Sequence, residues 1–207
     1  ILINRSAREE QVLVNMSRVI GVDATDAVAL SHAEEAAQLQ ILYLSDFLIR
    51  YIPGFEKAYL MASSHTLGVR ETRRLAGRYV LRGREAIECV PFPDTVAQGS
   101  YMIDIHDPQG KRKAIGGKLK KPCYSIPYRC LLPKTVENLL VCGRCISVDH
   151  IAHASTRIQG TCILTGQAAG TAAAMAKTQG WEPARLAAEE LRQKLQNDGV
   201  HYYHEAG

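Results

Sequence analysis

The sequence predicts an α+β fold: a mainly antiparallel sheet with long flanking helices. Three observations carry that prediction. Residues 25–52 hold apolar side chains at spacings of four and three, the period of one helix face. The middle third breaks into short alternating or apolar runs between turn signals, which is strand patterning. The last third is rich in alanine, and its longest helical stretch stops at a glycine.

The long helix comes first in the chain. Ala37, Ile41, Leu44, Leu48 and Tyr51 fall on one face, Thr25 or Asp26 can cap the start, and Pro53-Gly54 ends it. Its length is roughly 35 to 40 Å, enough to cross a domain. Next, "RYVL" (78–81) reads as a short strand. "SYMIDIHD" (100–107) alternates Tyr101, Ile103 and Ile105 against Met102, Asp104 and His106, then breaks at "DPQG". "CYSIPYRCLL" (123–132) follows, with Pro127 suited to an edge or a bulge. "NLLVCG" (138–143) is an apolar run of the buried-strand kind. A helix then opens near Ser155 or Thr156 and closes on Gly180, with Gly160, Gly166 and Gly170 inside it. Interior glycine costs a helix roughly 0.5 to 1 kcal/mol relative to alanine, so these glycines suggest that another backbone approaches closely. A last helix starts near Pro183 and runs to "NDG", with Leu186, Leu191 and Leu195 inward.

Composition limits the function. With 207 residues, 46% of them hydrophobic, the chain can bury one substantial core. The net charge of +4 is mild and spread out, so no nucleic-acid partner is expected. The densest basic stretch, "KRKAIGGKLKKP" (111–122), has no aromatic residue and reads as a solvated loop. No apolar run approaches the roughly 20 residues that span a bilayer, so no membrane partner is expected either. The start, "ILINRSAREE", lacks a signal-peptide layout and an initiator methionine. Six cysteines in a chain of this size do not read as a disulfide scaffold, and a cytoplasmic location is expected.

The stretch "VCGRCISVDHIAH" (141–153) carries the most chemistry for its length. Cys142, Cys145, His150 and His153 are zinc-type ligands, but only four residues separate the two pairs, where classical fingers leave about a dozen. Cys-Gly-Arg-Cys has dithiol spacing, and Arg144 would favour a thiolate. That chemistry normally sits where a strand enters a helix, and the clear helix begins a dozen residues later. A third reading uses the whole segment. A buried strand ends at Gly143, a polar loop follows, and the free amides of a small-residue helix offer a seat for an anion or a polarised carbonyl.

Residues 124–176, "YSIPYRCLLPKTVENLLVCGRCISVDHIAHASTRIQGTCILTGQAAGTAAAMA", resemble the C-terminal part of a family of FAD-dependent oxidoreductases of the two-dinucleotide-binding-domain type. "GVRETRRLAGRYVL" (68–81) and "YMIDIHDP" (101–108) match further family blocks in the same order. The resemblance implies part of an α/β FAD-binding fold, with a substrate-side sheet and a last strand and helix that return to the FAD-binding domain. The segments would be 1–53, an N-terminal stretch and long helix; 54–133, the substrate-side sheet; 134–180, the returning strand and helix; and 181–207, a C-terminal helix and tail.

No G-x-G-x-x-G, the family's ADP-binding turn, occurs in the sequence. The expected partner is therefore an N-terminal FAD-binding half, on the same protein or on another chain, with a homo-oligomer compatible with either. FAD is the implied cofactor of the complete protein, held weakly or not at all by this chain alone. By the resemblance, Gly143, Arg144 and Ser147 lie near the ribityl chain and pyrophosphate, and Arg157, Ile158, Gln159, Gly160 and Thr161 meet the pyrimidine edge of the flavin. Cys142 and Cys145 then become core packing. His150 and His153 become candidates for proton transfer, and Asp104, His106 and Arg129 candidates for handling a small-molecule substrate. No metal is expected. A non-catalytic remnant used for assembly or ligand binding is the alternative reading.

Overall fold

A computed structural model describes residues 2–105 and 115–203. They form two compact units, Ile1–Thr72 and Arg73–Gly207.

The first unit pairs β1 (Leu2–Arg5) with β2 (Val12–Asn15) in an antiparallel hairpin, and α1 (Ala27–Tyr51) follows. Asp26 is the cap: its carboxylate accepts the Val28 and Ala29 amides at 2.8 and 3.3 Å. Ala33, Ala37 and Leu48 are buried and Ile41 and Leu44 half-buried, as the stripe predicts. Tyr51 departs from it: at the last helical residue it is 68% exposed. The extended backbone of Ile52 ends the helix just before Pro53, whose ring disfavours a helical residue ahead of it.

The second unit is mixed helix and strand, with every sheet ladder among the described residues antiparallel. β3 (Thr95–Gly99) pairs with β6 (Tyr124–Pro127), and β4 (Ile103–Ile105) with β5 (Ile115–Gly117). A bulge between Thr95 and Ala97 lets Thr95 face Pro127, which has no amide to donate to a regular ladder. The helices are α2 (Gly83–Glu88), α3 (His150–Thr156), α4 (Gln159–Gln179) and α5 (Ala188–Asn197). α4 and α5 pack on β3 and on each other, while α2 and α3 pack together beside β6 and β4. Leu81, Ile103, Ile126, Leu131, Ile146 and Leu191 fill the core between them.

Three expectations change. "RYVL" is no regular strand: Gly77 and Leu81 make single bridges, antiparallel to Pro133 and parallel to Val148. The segment threads between two loops and cannot run alongside either for long. "NLLVCG" likewise forms no ladder among the described residues. Its one backbone bond of this kind joins the Val141 amide to the Leu131 carbonyl, and Leu139 stays exposed. The helix expected from Ser155 is two helices. Ile158, with extended backbone at ψ 142°, breaks the ladder between α3 and α4.

Candidate functional site

The loop before α3 is fixed by its main chain. Residues Gly143–Cys145 form a 3-10 turn, and Gly143 enters it at φ +73°, a left-handed conformation that disfavours any side chain. Its amide donates to Thr165 Oγ1 at 3.0 Å, which ties the turn to the buried face of α4. His153, almost fully buried, brings Nε2 to 3.2 Å from the Arg144 carbonyl. Downstream, Ser147 is fully buried. It accepts the Gly77 amide at 3.1 Å through Oγ and donates its own amide to the Cys130 carbonyl at 2.9 Å. A Cβ on Gly77 would stand 2.5 Å from that of Ser147, so these two positions require each other.

Asp149 then organises the start of α3. Its carboxylate accepts the Ala152 amide at 2.8 Å as the cap and the Gly83 amide at 3.0 Å, joining the first turns of α3 and α2. Sequence reasoning missed it. The Asp before a helical run was its local signal, but the Gly83 partner lies 66 positions away. His150 follows as the first residue of α3, with its side chain exposed.

The α3–α4 junction brings predicted residues together. Arg157 donates to the Asp104 carbonyl at 3.2 Å and lies 3.9 Å from its carboxylate. Ile158 is the residue ahead of α4, and its side chain has no oxygen to cap the helix. Among the described residues no side chain caps the first amides of α4. Gln159 and Gly160 are exposed there, and a Cβ on Gly160 would meet no atom within 4 Å. Close in sequence, the buried Thr156 hydroxyl has no hydrogen-bond partner among the described residues. Among the described residues no backbone approaches the α4 glycines: Gly166 and Gly170 also have no Cβ neighbour within 4 Å, and Ile163 on the same helix is 61% exposed.

Behind the junction lies a buried polar chain that sequence reasoning did not find. Tyr124 on β6 donates to Ser155 Oγ at 2.8 Å, and Ser155 donates to the Tyr101 carbonyl at 2.6 Å. Burial pushes the Tyr124 phenol up to about 12, with hydrogen bonds from Ser155 and Thr161 pulling the other way. Gly99 makes room for the ring, since a Cβ there would come within 2.4 Å of it. Thr161, on the first turn of α4, is thus held against the sheet.

Arg129 sits elsewhere in its contacts. It forks onto Asp94, with Nε at 2.8 Å and Nη2 at 3.2 Å, and lies over the Tyr79 ring at 4.7 Å. The Asp94 hydrogen bond raises its already high pKa further. His106 lies outside the described residues. Cys142 and Cys145 are exposed, which corrects the core-packing expectation: "NLLVCG" has no ladder among the described residues to bury them. Among the described residues no group of three or more His, Cys, Asp or Glu is arranged to hold a metal. Nor is any described helix long and apolar enough to cross a membrane.

A family model described as FAD dependent oxidoreductase matches residues 2–195. The chain belongs to that family. No curated protein and no solved structure matches it. FAD is the group that the family's description names. The residues present fit such a group. An uncapped helix start, a glycine whose Cβ position is open and an orphaned hydroxyl lie within a few residues of one another.

Proposed function

We propose that this chain completes the flavin site of an FAD-dependent oxidoreductase and covers a small-molecule substrate there. The observation that carries this is the start of α4, where Ile158 provides no side-chain cap and Gly160 leaves open space among the described residues. Bound FAD supplies the redox chemistry, taking up or giving back a hydride at N5.

The chain's own residues bind and orient. The first amides of α4, with Gln159, Gly160 and Thr161, take the partial negative charge of a carbonyl at the ring edge. Arg157 and Ile158 set the angle of that helix start, Arg157 through its bond to the Asp104 carbonyl. Gly143 and Arg144 line the preceding turn, and Ser147 acts from behind by anchoring the loop to Gly77. On the substrate side, exposed His150 is the candidate to hold or move a proton, while His153 fixes the Arg144 carbonyl. Asp104 and Arg129 are candidates to orient substrate. Arg129 would do so with its charge already matched by Asp94.

The missing ADP-binding turn makes a dinucleotide-binding half, in the same protein or a partner chain, part of this proposal. The test is single-turnover flavin reduction in the complete FAD-loaded protein. His150→Ala is expected to slow reduction by 10²- to 10⁴-fold, roughly the usual contribution of a general acid or base, with FAD retained. Unchanged reduction would remove His150 from the chemistry, and a complete protein that binds no FAD would overturn the reading.

A further inference from the structure

The turn Gly143–Cys145 packs against both α3 and α4 and is fastened to each. On α4, Thr165 Oγ1 accepts the Gly143 amide at 3.0 Å. On α3, His153 Nε2 donates to the Arg144 carbonyl at 3.2 Å. Thr165 is fully buried and His153 nearly so, so both bonds lie where water competes little. Between the two helices, the extended backbone of Ile158 interrupts the ladder that would hold α4 in line with α3. The turn restores that connection from the side.

The Thr165 hydroxyl has a use beyond its own helix. Its neighbours on the buried face of α4 are Thr161, Ala168, Ala169 and Ala172, a surface that asks only for a small side chain. Valine has the same shape. A hydroxyl adds a donor and acceptors, which are costly to bury unsatisfied. The donor turns back onto α4, with the Cys162 and Thr161 carbonyls at 3.0 and 3.1 Å, a back-bond that does not strengthen a helix. The acceptor takes the Gly143 amide from 22 positions away, its sole bond outside α4 among the described residues. The path from the Gly143 amide through Thr165 Oγ1 to the Thr161 carbonyl thus joins the turn to the first turn of α4.

We propose that Thr165 is a positioning residue of the flavin site, setting how the 143–145 turn stands against the start of α4. Having no exposed surface, it acts through Gly143 rather than on a ligand. The inference rests on the flavin reading above, in which the turn and the α4 start meet one cofactor. Such a cofactor binds well only when the two segments are held at the right separation, and a buried residue behind them holds it.

The test compares Thr165→Val, which keeps the shape and removes the hydroxyl, with Thr165→Ser, which keeps the hydroxyl and removes the methyl. Thr165→Ala is the hydroxyl-free variant should valine fail to fold. In this chain alone, hydrogen exchange at the Gly143 amide is expected to quicken about tenfold in Thr165→Val and to stay near the parent rate in Thr165→Ser. In the complete protein, FAD affinity is expected to fall about tenfold in Thr165→Val and to stay within about threefold of the parent in Thr165→Ser. Serine should rescue binding even though loss of the methyl lowers its melting temperature. A merely structural role predicts that affinity follows melting temperature instead. Unchanged FAD affinity in Thr165→Val, or an equal loss in both variants, overturns the proposal and leaves the flavin reading standing, because the parent still binds FAD. Parent-like exchange at Gly143 in Thr165→Val overturns it with no cofactor in the experiment. A complete parent protein that binds no FAD overturns the flavin reading and this inference with it.

Discussion

Gly160 offers a clean separation of folding from cofactor binding. It is the second residue of α4, and its Cβ position meets no atom of the chain within 4 Å. Gly160→Ala should therefore stabilise this chain by about 0.5 kcal/mol, the low end of the helical preference because the position lies in the first turn. For a protein of this size that raises Tm by roughly 1–2 °C. Gly160→Val projects a branched side chain from the same Cβ position, which is open among the described residues. If that space is occupied by the flavin edge, the valine must displace the ring or the helix start. The expectation is a loss of FAD affinity of at least tenfold, about 1.4 kcal/mol, in the complete protein. The assays are thermal melting of the chain and flavin absorbance retained by the complete protein after gel filtration. Normal flavin content in Gly160→Val would refute the reasoning. A drop of several degrees in the melting of Gly160→Ala would refute its structural premise.

Asp149→Ala removes the cap of α3 and orphans the Gly83 amide, and should cost about 2 kcal/mol in urea unfolding. Tyr124→Phe should cost about 1 kcal/mol by deleting the bond to Ser155. If Thr161 contacts the flavin, the same change should also shift the flavin absorbance spectrum of the complete protein. Alkaline stability should fall between pH 10 and about 12. In that range the unfolded chain ionises Tyr124 at 10.0 while burial keeps the folded phenol protonated to about 12, so the unfolded state binds fewer protons and stability declines. Each such group contributes up to roughly 1.4 kcal/mol per pH unit, and Tyr124→Phe should flatten the decline in pH-dependent melting.

The sequence was most legible where structure is local. The α1 stripe, its Asp26 cap and the Gly180 stop of α4 are written in spacings of a few residues, and the structure has them, Tyr51 excepted. Long-range pairing was not legible. "RYVL" and "NLLVCG" have strand composition, but a ladder needs a neighbour alongside, and the backbone bonds of "RYVL" are divided between Arg129, Leu132 and the 147–149 segment rather than running along one strand. The α3–α4 break fell at Ile158, a residue that carries no stop signal, so one helix was expected where two exist. At the site, the sequence could not show which residues touch. Arg157 and Asp104 converge across 53 positions, and Tyr124 and Ser155 across 31. Cys142 and Cys145 were expected in the core because their strand was expected to be paired, and one error produced the other.

The buried face of α4 is made of Thr161, Thr165, Ala168, Ala169, Ala172 and Ala176. Its fully buried contacts are methyl and hydroxyl groups, with Leu164 and Met175 half-buried at their side, so its height above the sheet is set largely by small side chains. Ala172 lies about 18 Å along the axis from Gly160 at 1.5 Å per residue. One added methylene at Ala168 or Ala172 would have to lift the rod or tilt it, because neither alanine has any exposed surface to relieve the crowding. The tip of α4 would move with it. The helix thus behaves as a lever whose fulcrum is a row of alanines, and residues far from any ligand hold the aim of the amides at its end.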